Sequence, residues 1–181
     1  MVYFMRRILF ILFLLFFLAR ADSTTVVRVS FNDQAREADL IVVGRAVRVE
    51  QVQWRDFPFR RVVIAVDEVI AGEPPGDEIA VLQPGGRRKN GNEVRVQGLR
   101  YIKVGDELLL FLKLISDDNY EIIGLDQGRY SVSREPGTGR KVINIRGRSG
   151  KHSMTLEGAK RRVHAVRSNS RAGGKPEDAG Q

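Results

Sequence analysis

From about Asp39 to Ile145 the apolar positions recur with a period near two, and Gly, Pro, Asn and Asp punctuate the runs. Side chains along a strand alternate between two faces, so this rhythm predicts strands rather than helices. The run Leu40-Ile-Val-Val-Gly-Arg-Ala-Val-Arg-Val-Glu50 starts wholly apolar and then alternates, with Val47 and Val49 expected inward and Arg48 and Glu50 outward. Gly44 inside it predicts a bulge or sharp coil, a device that lets a barrel turn a corner. A second strand carries Val62, Ile64 and Val66 and closes at Ala71-Gly-Glu-Pro-Pro-Gly76. Ile79–Gln83 and Asn92–Gln97 predict a third and a fourth strand. Leu108–Leu114, almost wholly apolar, predicts a central strand buried on both faces. Tyr120–Gly124, Gly128–Ser133 and Lys141–Ile145 complete the series. Helical spacing appears twice. Ser30 can cap a short helix through Ala38, and Thr155 can cap a second on which Leu156, Ala159, Val163 and Val166 share a face. The expected fold is mainly β: a small antiparallel OB-like or Greek-key barrel with a short N-terminal helix and a C-terminal helix.

Residues 1–21 follow a different pattern. Arg6 and Arg7 precede a run of 12 apolar residues, Ile8–Ala19, and Ala19-Arg20-Ala21 gives a small-x-small site. A spanning helix needs about 20 apolar residues, so the run predicts a signal peptide cleaved after Ala21 and a periplasmic or secreted product. The chain has no cysteine. Disulfides, thiolate metal sites, cysteine nucleophiles and a lipidated N-terminal cysteine are thereby excluded. Two histidines, His152 and His164, leave little for a histidine-based metal site or triad. No metal and no cofactor are expected.

Charge divides the remainder. Residues 22–145 hold 18 Lys/Arg against 19 Asp/Glu, whereas residues 146–181 hold 9 against 3. A nucleic-acid-binding domain would show its basic surface on the fold itself, so the high isoelectric point belongs to the two ends. The expected organisation is a signal peptide over 1–21, a β-barrel domain over 22–146, a basic linker and C-terminal helix over 147–167, and a disordered tail over 168–181.

The stretch Ala38-Asp39-Leu-Ile-Val-Val-Gly44-Arg-Ala-Val47 resembles the first barrel strand of netrin-like domains, the OB-type fold of tissue metalloproteinase inhibitors. Val66-Asp-Glu-Val-Ile-Ala-Gly72 resembles the same fold's second strand, with Ala71 where a lysine is usual. The chain is similar more closely to an uncharacterised group of secreted bacterial proteins. That likeness rests on Ala-Asp-Leu-Ile-Val-Val-Gly, Gln83-Pro-Gly-Gly86, Val96-Gln-Gly98, Gly105-Asp-Glu-Leu-Leu-Leu-Phe-Leu112 and Gly124-Leu-Asp-Gln-Gly128-Arg-Tyr-Ser-Val132, and it covers about residues 30–166. It implies a fold and no known chemistry. Inhibitors of the netrin-like type reach zinc through an N-terminal cysteine, which this chain lacks.

Several segments carry candidate chemistry. Gln83-Pro-Gly-Gly-Arg-Arg-Lys-Asn-Gly91 can free backbone N–H groups at its glycines while Arg87, Arg88 and Lys89 attract an anion. The plainer reading is a basic loop between strands. Trp54, Phe57 and Phe59 cluster with Arg55, Arg60 and Arg61, and OB-type barrels stack bases on exposed aromatics beside cations; the plainer reading is a hairpin end covering the barrel mouth. Lys160, Arg161 and Arg162 lie on the C-terminal helix, whose basic face can meet an anionic polymer or lipid surface or stay solvated while the apolar stripe docks. Asp106 and Glu107 form a carboxylate pair, and Asp117-Asp118-Asn119 a possible calcium turn, both read more simply as turns. The leading expectation is therefore a non-enzymatic, exported binding module for an envelope or extracellular protein or other ligand. The alternative is binding of an anionic polymer or nucleic acid through the basic loop and tail.

Overall fold

The computed structural model describes residues 28–54, 57–116, 118–147 and 150–172; the expected signal peptide and the last nine residues lie outside them. The chain runs α1 (Phe31–Glu37), β1 (Leu40–Trp54), β2 (Phe57–Ala71), β3 (Glu78–Pro84), β4 (Gly86–Arg87), β5 (Glu93–Val94), β6 (Glu107–Ser116), β7 (Asn119–Ile122), β8 (Arg129–Arg134), β9 (Lys141–Gly147), β10 (Gly150–Thr155) and α2 (Leu156–Ala172). The fold is mainly β, with a short N-terminal helix and a longer C-terminal one. β1 pairs with β2, β2 with β3, β3 with β7, β7 with β6, and β6 again with β1, so five strands pair in a ring. All of these pairs are antiparallel except β3–β7, where Ala80 and Val81 lie parallel to Asn119 and Tyr120. β8, β9 and β10 continue the sheet outward from β6.

Alternation sorts β1 and β6 into two cores. Leu40, Val42 and Ala46 join Val62, Ile64, Ile79, Val81, Leu108, Leu110 and Leu112 inside the ring. Ile41 and Val43 face the other way with Leu109 and Phe111, and both helices cover them through Phe31, Ala35, Leu156, Ala159 and Val163. This is why both strands read as continuous apolar runs: each is buried on two faces. Phe31, Phe111 and Tyr130 form an aromatic trio at centroid distances of 5.1, 5.7 and 5.6 Å, and the Phe31–Phe111 and Phe111–Tyr130 pairs meet edge to face.

The caps fall where expected. Ser30 Oγ accepts the Asp33 N–H at 3.2 Å, and Thr155 Oγ1 accepts the Gly158 N–H at 3.1 Å. The Ala38-Asp39 pair has a structural reason. Asp39 donates its N–H to the Leu112 carbonyl, and its carboxylate accepts the Leu114 N–H at 2.9 Å, which fastens the start of β1 to β6. Gly44 lies at a break in the β1–β2 register, where an added Cβ would sit 2.5 Å from the Ala65 carbonyl oxygen.

Three expectations need correction. Val47 is 39% exposed rather than inward, because the register steps from Ala46↔Ile64 to Arg48↔Val63 and leaves it out. Asn92–Gln97 forms no barrel strand; only Glu93–Val94 pairs, with β4. Its neighbourhood is bonded to side chains instead. The Val96 N–H donates to the Tyr101 hydroxyl, and buried Gln83 accepts the Ile102 N–H at 2.9 Å while donating to the Arg100 carbonyl at 3.3 Å. Ile102 thereby enters the core inside the ring, wholly buried. Finally, the stretch beginning at 147 contains strand β10 rather than a plain linker, and α2 continues past residue 167 to Ala172.

Candidate functional site

The β1–β2 hairpin projects past the last β2–β3 pair, Phe59↔Pro84, and its end pairs Trp54 with Phe57 and Val52 with Phe59. Edge-to-face contacts at 5.5 Å join Trp54 to Phe59 and Phe59 to Phe57. The three rings thus form one half-buried cluster on the hairpin's end. Arg55 and Asp56, at the turn itself, lie outside the described residues.

The basic loop is tied to this same hairpin. The Gly85 N–H donates to the Pro58 carbonyl at 2.9 Å. Gln51 Oε1 accepts the Arg87 N–H at 3.0 Å, and Gln53 Nε2 donates to the Arg87 carbonyl at 3.2 Å. Both glutamines alternate with Val52 on β1, so one strand carries both groups: its glutamines clip the loop, and its last residue is Trp54. Beyond Arg87 the chain turns back through bonds from the Arg88 N–H to the Asn92 carbonyl and from the Gly91 N–H to the Arg88 carbonyl. Arg87, Arg88 and Lys89 are exposed, and among the described residues none has a carboxylate within ion-pair distance. Arg60 and Arg61 are occupied: Arg60 lies 4.7 Å over the Tyr101 ring, and Arg61 pairs with Glu50 at 3.3 Å. A hydrogen bond from Arg48, then one from Arg61, holds the Glu50 carboxyl below its usual range.

The C-terminal helix lies elsewhere and spends most of its cations on the fold. Its apolar stripe of Leu156, Ala159, Val163 and Val166 is docked in the outer core. Lys160 bridges Glu68 at 2.7 Å and Glu157 at 2.6 Å. Burial opposes its charge, but these two partners outweigh burial and leave the ammonium harder to deprotonate. Arg162 donates to Asn32 at 2.8 Å and lies over Phe31, and Arg167 donates to the Ala35 and Ala38 carbonyls. Arg161 and His164 are exposed, and the side chain of His152 lies outside the described residues.

The carboxylates singled out earlier are held individually. Asp106 accepts the Lys103 N–H at 2.9 Å, whereas Glu107 pairs with Lys141 at 2.7 Å and Arg45 at 3.6 Å. Asn119 donates to Ser116 within its turn, and Asp117 lies outside the described residues. Among the described residues no three His, Asp or Glu side chains gather as metal ligands, and no helix is long and apolar enough to cross a membrane.

Sequence reasoning missed a second concavity. A groove of about 1000 Å³ opens between the start of α1, residues 97–100, the β7–β8 loop and β9. Buried Arg129 and half-buried Asp126 line it, together with Arg100 and Tyr130. The signal was present in Gly124-Leu-Asp-Gln-Gly128-Arg-Tyr, whose spacing reads as fold punctuation until the chain closes around it. No protein-family profile matches the chain, and no curated protein sequence matches it either.

Proposed function

We propose that this chain is an exported, non-enzymatic β-barrel module that binds an anionic polymer at the end of its β1–β2 hairpin. The supporting observation is the double clip of Gln51 and Gln53 onto Arg87, which fastens the exposed Arg87–Lys89 loop to one face of the hairpin whose other face carries Trp54, Phe57 and Phe59. Aromatic faces accept bases or sugar rings, and cations with no carboxylate beside them attract phosphate or sulfate. OB-type barrels use the loop between their first two strands in this way. Export is read from the sequence of residues 1–21.

Trp54 is the chain's one tryptophan, so its fluorescence reports on this end alone. Titration with single-stranded oligothymidylate and with heparin is expected to change that emission saturably, while neutral dextran leaves it unaltered. Three cations imply a log–log salt slope of about −2 for single strands, and Arg87→Ala/Arg88→Ala is expected to flatten it by about 1.4. Polyanion titrations that leave Trp54 emission unchanged, or affinity indifferent to salt, would refute the reading.

A further inference from the structure

The groove beside α1 combines charge with apolar wall in a way the hairpin end does not. Three arginines and one aspartate are its charged lining: Arg28 at an exposed position, Arg100, Arg129 and Asp126. Arg129 is 7% exposed, and its Nε lies 3.0 Å from Asp126 Oδ1. Arg100 reaches the other oxygen of the same carboxylate, Nε to Oδ2, at 2.7 Å. Two guanidiniums therefore share one carboxylate. Arg100 is half exposed, and among the described residues its terminal nitrogens have no other partner. A guanidinium held by Nε still offers an N–H fork suited to a second oxyanion.

The remaining wall mixes polar residues such as Ser30, Gln97 and Asn144 with an apolar part. Phe31, Leu99, Leu125, Tyr130 and Ile145 line the same space. Leu125 is 53% exposed and holds a φ of 65°, a left-handed conformation that is costly for a non-glycine residue. Gln127 ties this loop to the segment before α1, its Oε1 accepting the Val29 N–H at 3.0 Å. The volume of about 1000 Å³ far exceeds an inorganic ion and matches the sites that take small organic molecules.

We propose that this groove binds a small organic anion, with its carboxylate or phosphate on Arg100 and its apolar body against Leu99, Leu125 and Ile145. Asp126 holds the two guanidiniums side by side, and Arg28 adds charge at the mouth. The site is separate from the hairpin end and does not depend on it.

The test is an amide-shift titration of the purified protein by nuclear magnetic resonance with four probes. Benzoate and phenyl phosphate carry one apolar body on two oxyanions, benzamide carries that body uncharged, and inorganic phosphate carries the charge alone. Benzoate or phenyl phosphate is expected to shift the amides of Arg100, Gly124–Arg129 and Ile145 saturably, at least tenfold more tightly than benzamide or inorganic phosphate. Which of the two binds better identifies the headgroup. Arg100→Gln is expected to weaken that binding at least tenfold, and Arg87→Ala/Arg88→Ala to leave it unchanged. Equal binding of benzoate, phenyl phosphate and benzamide, shifts confined to residues 85–95, or no shifts at all would overturn the proposal. The comparison of probes on the unaltered chain decides the matter even if Arg100→Gln fails to fold.

Discussion

Tyr130 offers a stability test that can be worked through from one buried hydroxyl. Its ring packs against Phe31 and edge to face on Phe111, and its hydroxyl donates to Gln34 Oε1 at 2.7 Å, both groups being buried. Burial pushes the phenol up to about 12, and the Gln34 hydrogen bond offsets only part of that. In the unfolded chain the same phenol titrates near 10. A folded-state pKa raised above the unfolded one means that the native state holds the proton more tightly. The associated stability is complete below pH 10 and is lost as pH rises through 12. Linkage puts the loss from this one group at about 1 kcal/mol by pH 11 and about 2 kcal/mol by pH 12. Tyr130→Phe removes the titration and strands the Gln34 oxygen, which costs about 1–3 kcal/mol at pH 8. Urea unfolding of both proteins at pH 8, 10, 11 and 12 is the assay. The native chain is expected to start more stable and to converge on Tyr130→Phe as pH rises, since the other alkaline titrations are common to both. Parallel pH curves would refute the reasoning, because they would mean that the folded protein ionises Tyr130 as readily as the unfolded one does.

Two further outcomes follow from packing. Gly44→Ala places a methyl group against the Ala65 carbonyl and Ile64; it is expected to cost about 1–3 kcal/mol by overpacking, read as a lower urea midpoint, and an unchanged midpoint would show that β1 and β2 can separate there. Phe111→Ala empties the wholly buried centre of the outer core and is expected to cost about 3–5 kcal/mol in chemical denaturation, with loss of near-ultraviolet signal from its aromatic neighbours.

Much of the fold was legible because alternation and burial left plain marks on the sequence. Leu108–Leu114 reads as a strand buried on both faces, and Leu108–Leu112 is so because one side lines the ring and the other meets the helices, whereas Lys113 and Leu114 run past the core and are exposed. Ser30 and Thr155 announced their helices through side-chain oxygens that cap them. Val47 was misread because alternation assumes an unbroken register, and a register shift depends on how β2 answers β1, which no local pattern contains. The Asn92–Gln97 stretch alternates like a strand, yet buried Gln83 and Tyr101 supply backbone partners near it from a distance. The candidate site was half legible. Aromatic and basic clusters could each be named, but their attachment to one hairpin rests on Gln51 and Gln53, two side chains with no signature of their own. The groove was hidden more deeply, since Arg100 and Asp126 come together only through folding.

The ring also orders events in time. Leu40–Arg45 pairs on one side with β2, its neighbour in the chain, and on the other with Leu112–Glu107, which arrives only after four intervening strands and a long loop. Loop closure over such a separation is slow compared with forming a hairpin. Until β6 arrives, the apolar edge of β1 is unpaired and open to other chains. A fragment ending before Glu107 therefore contains every residue of the proposed hairpin site and still lacks the strand that completes the ring of pairings beneath it. The first strand cannot finish folding until the sixth has been delivered.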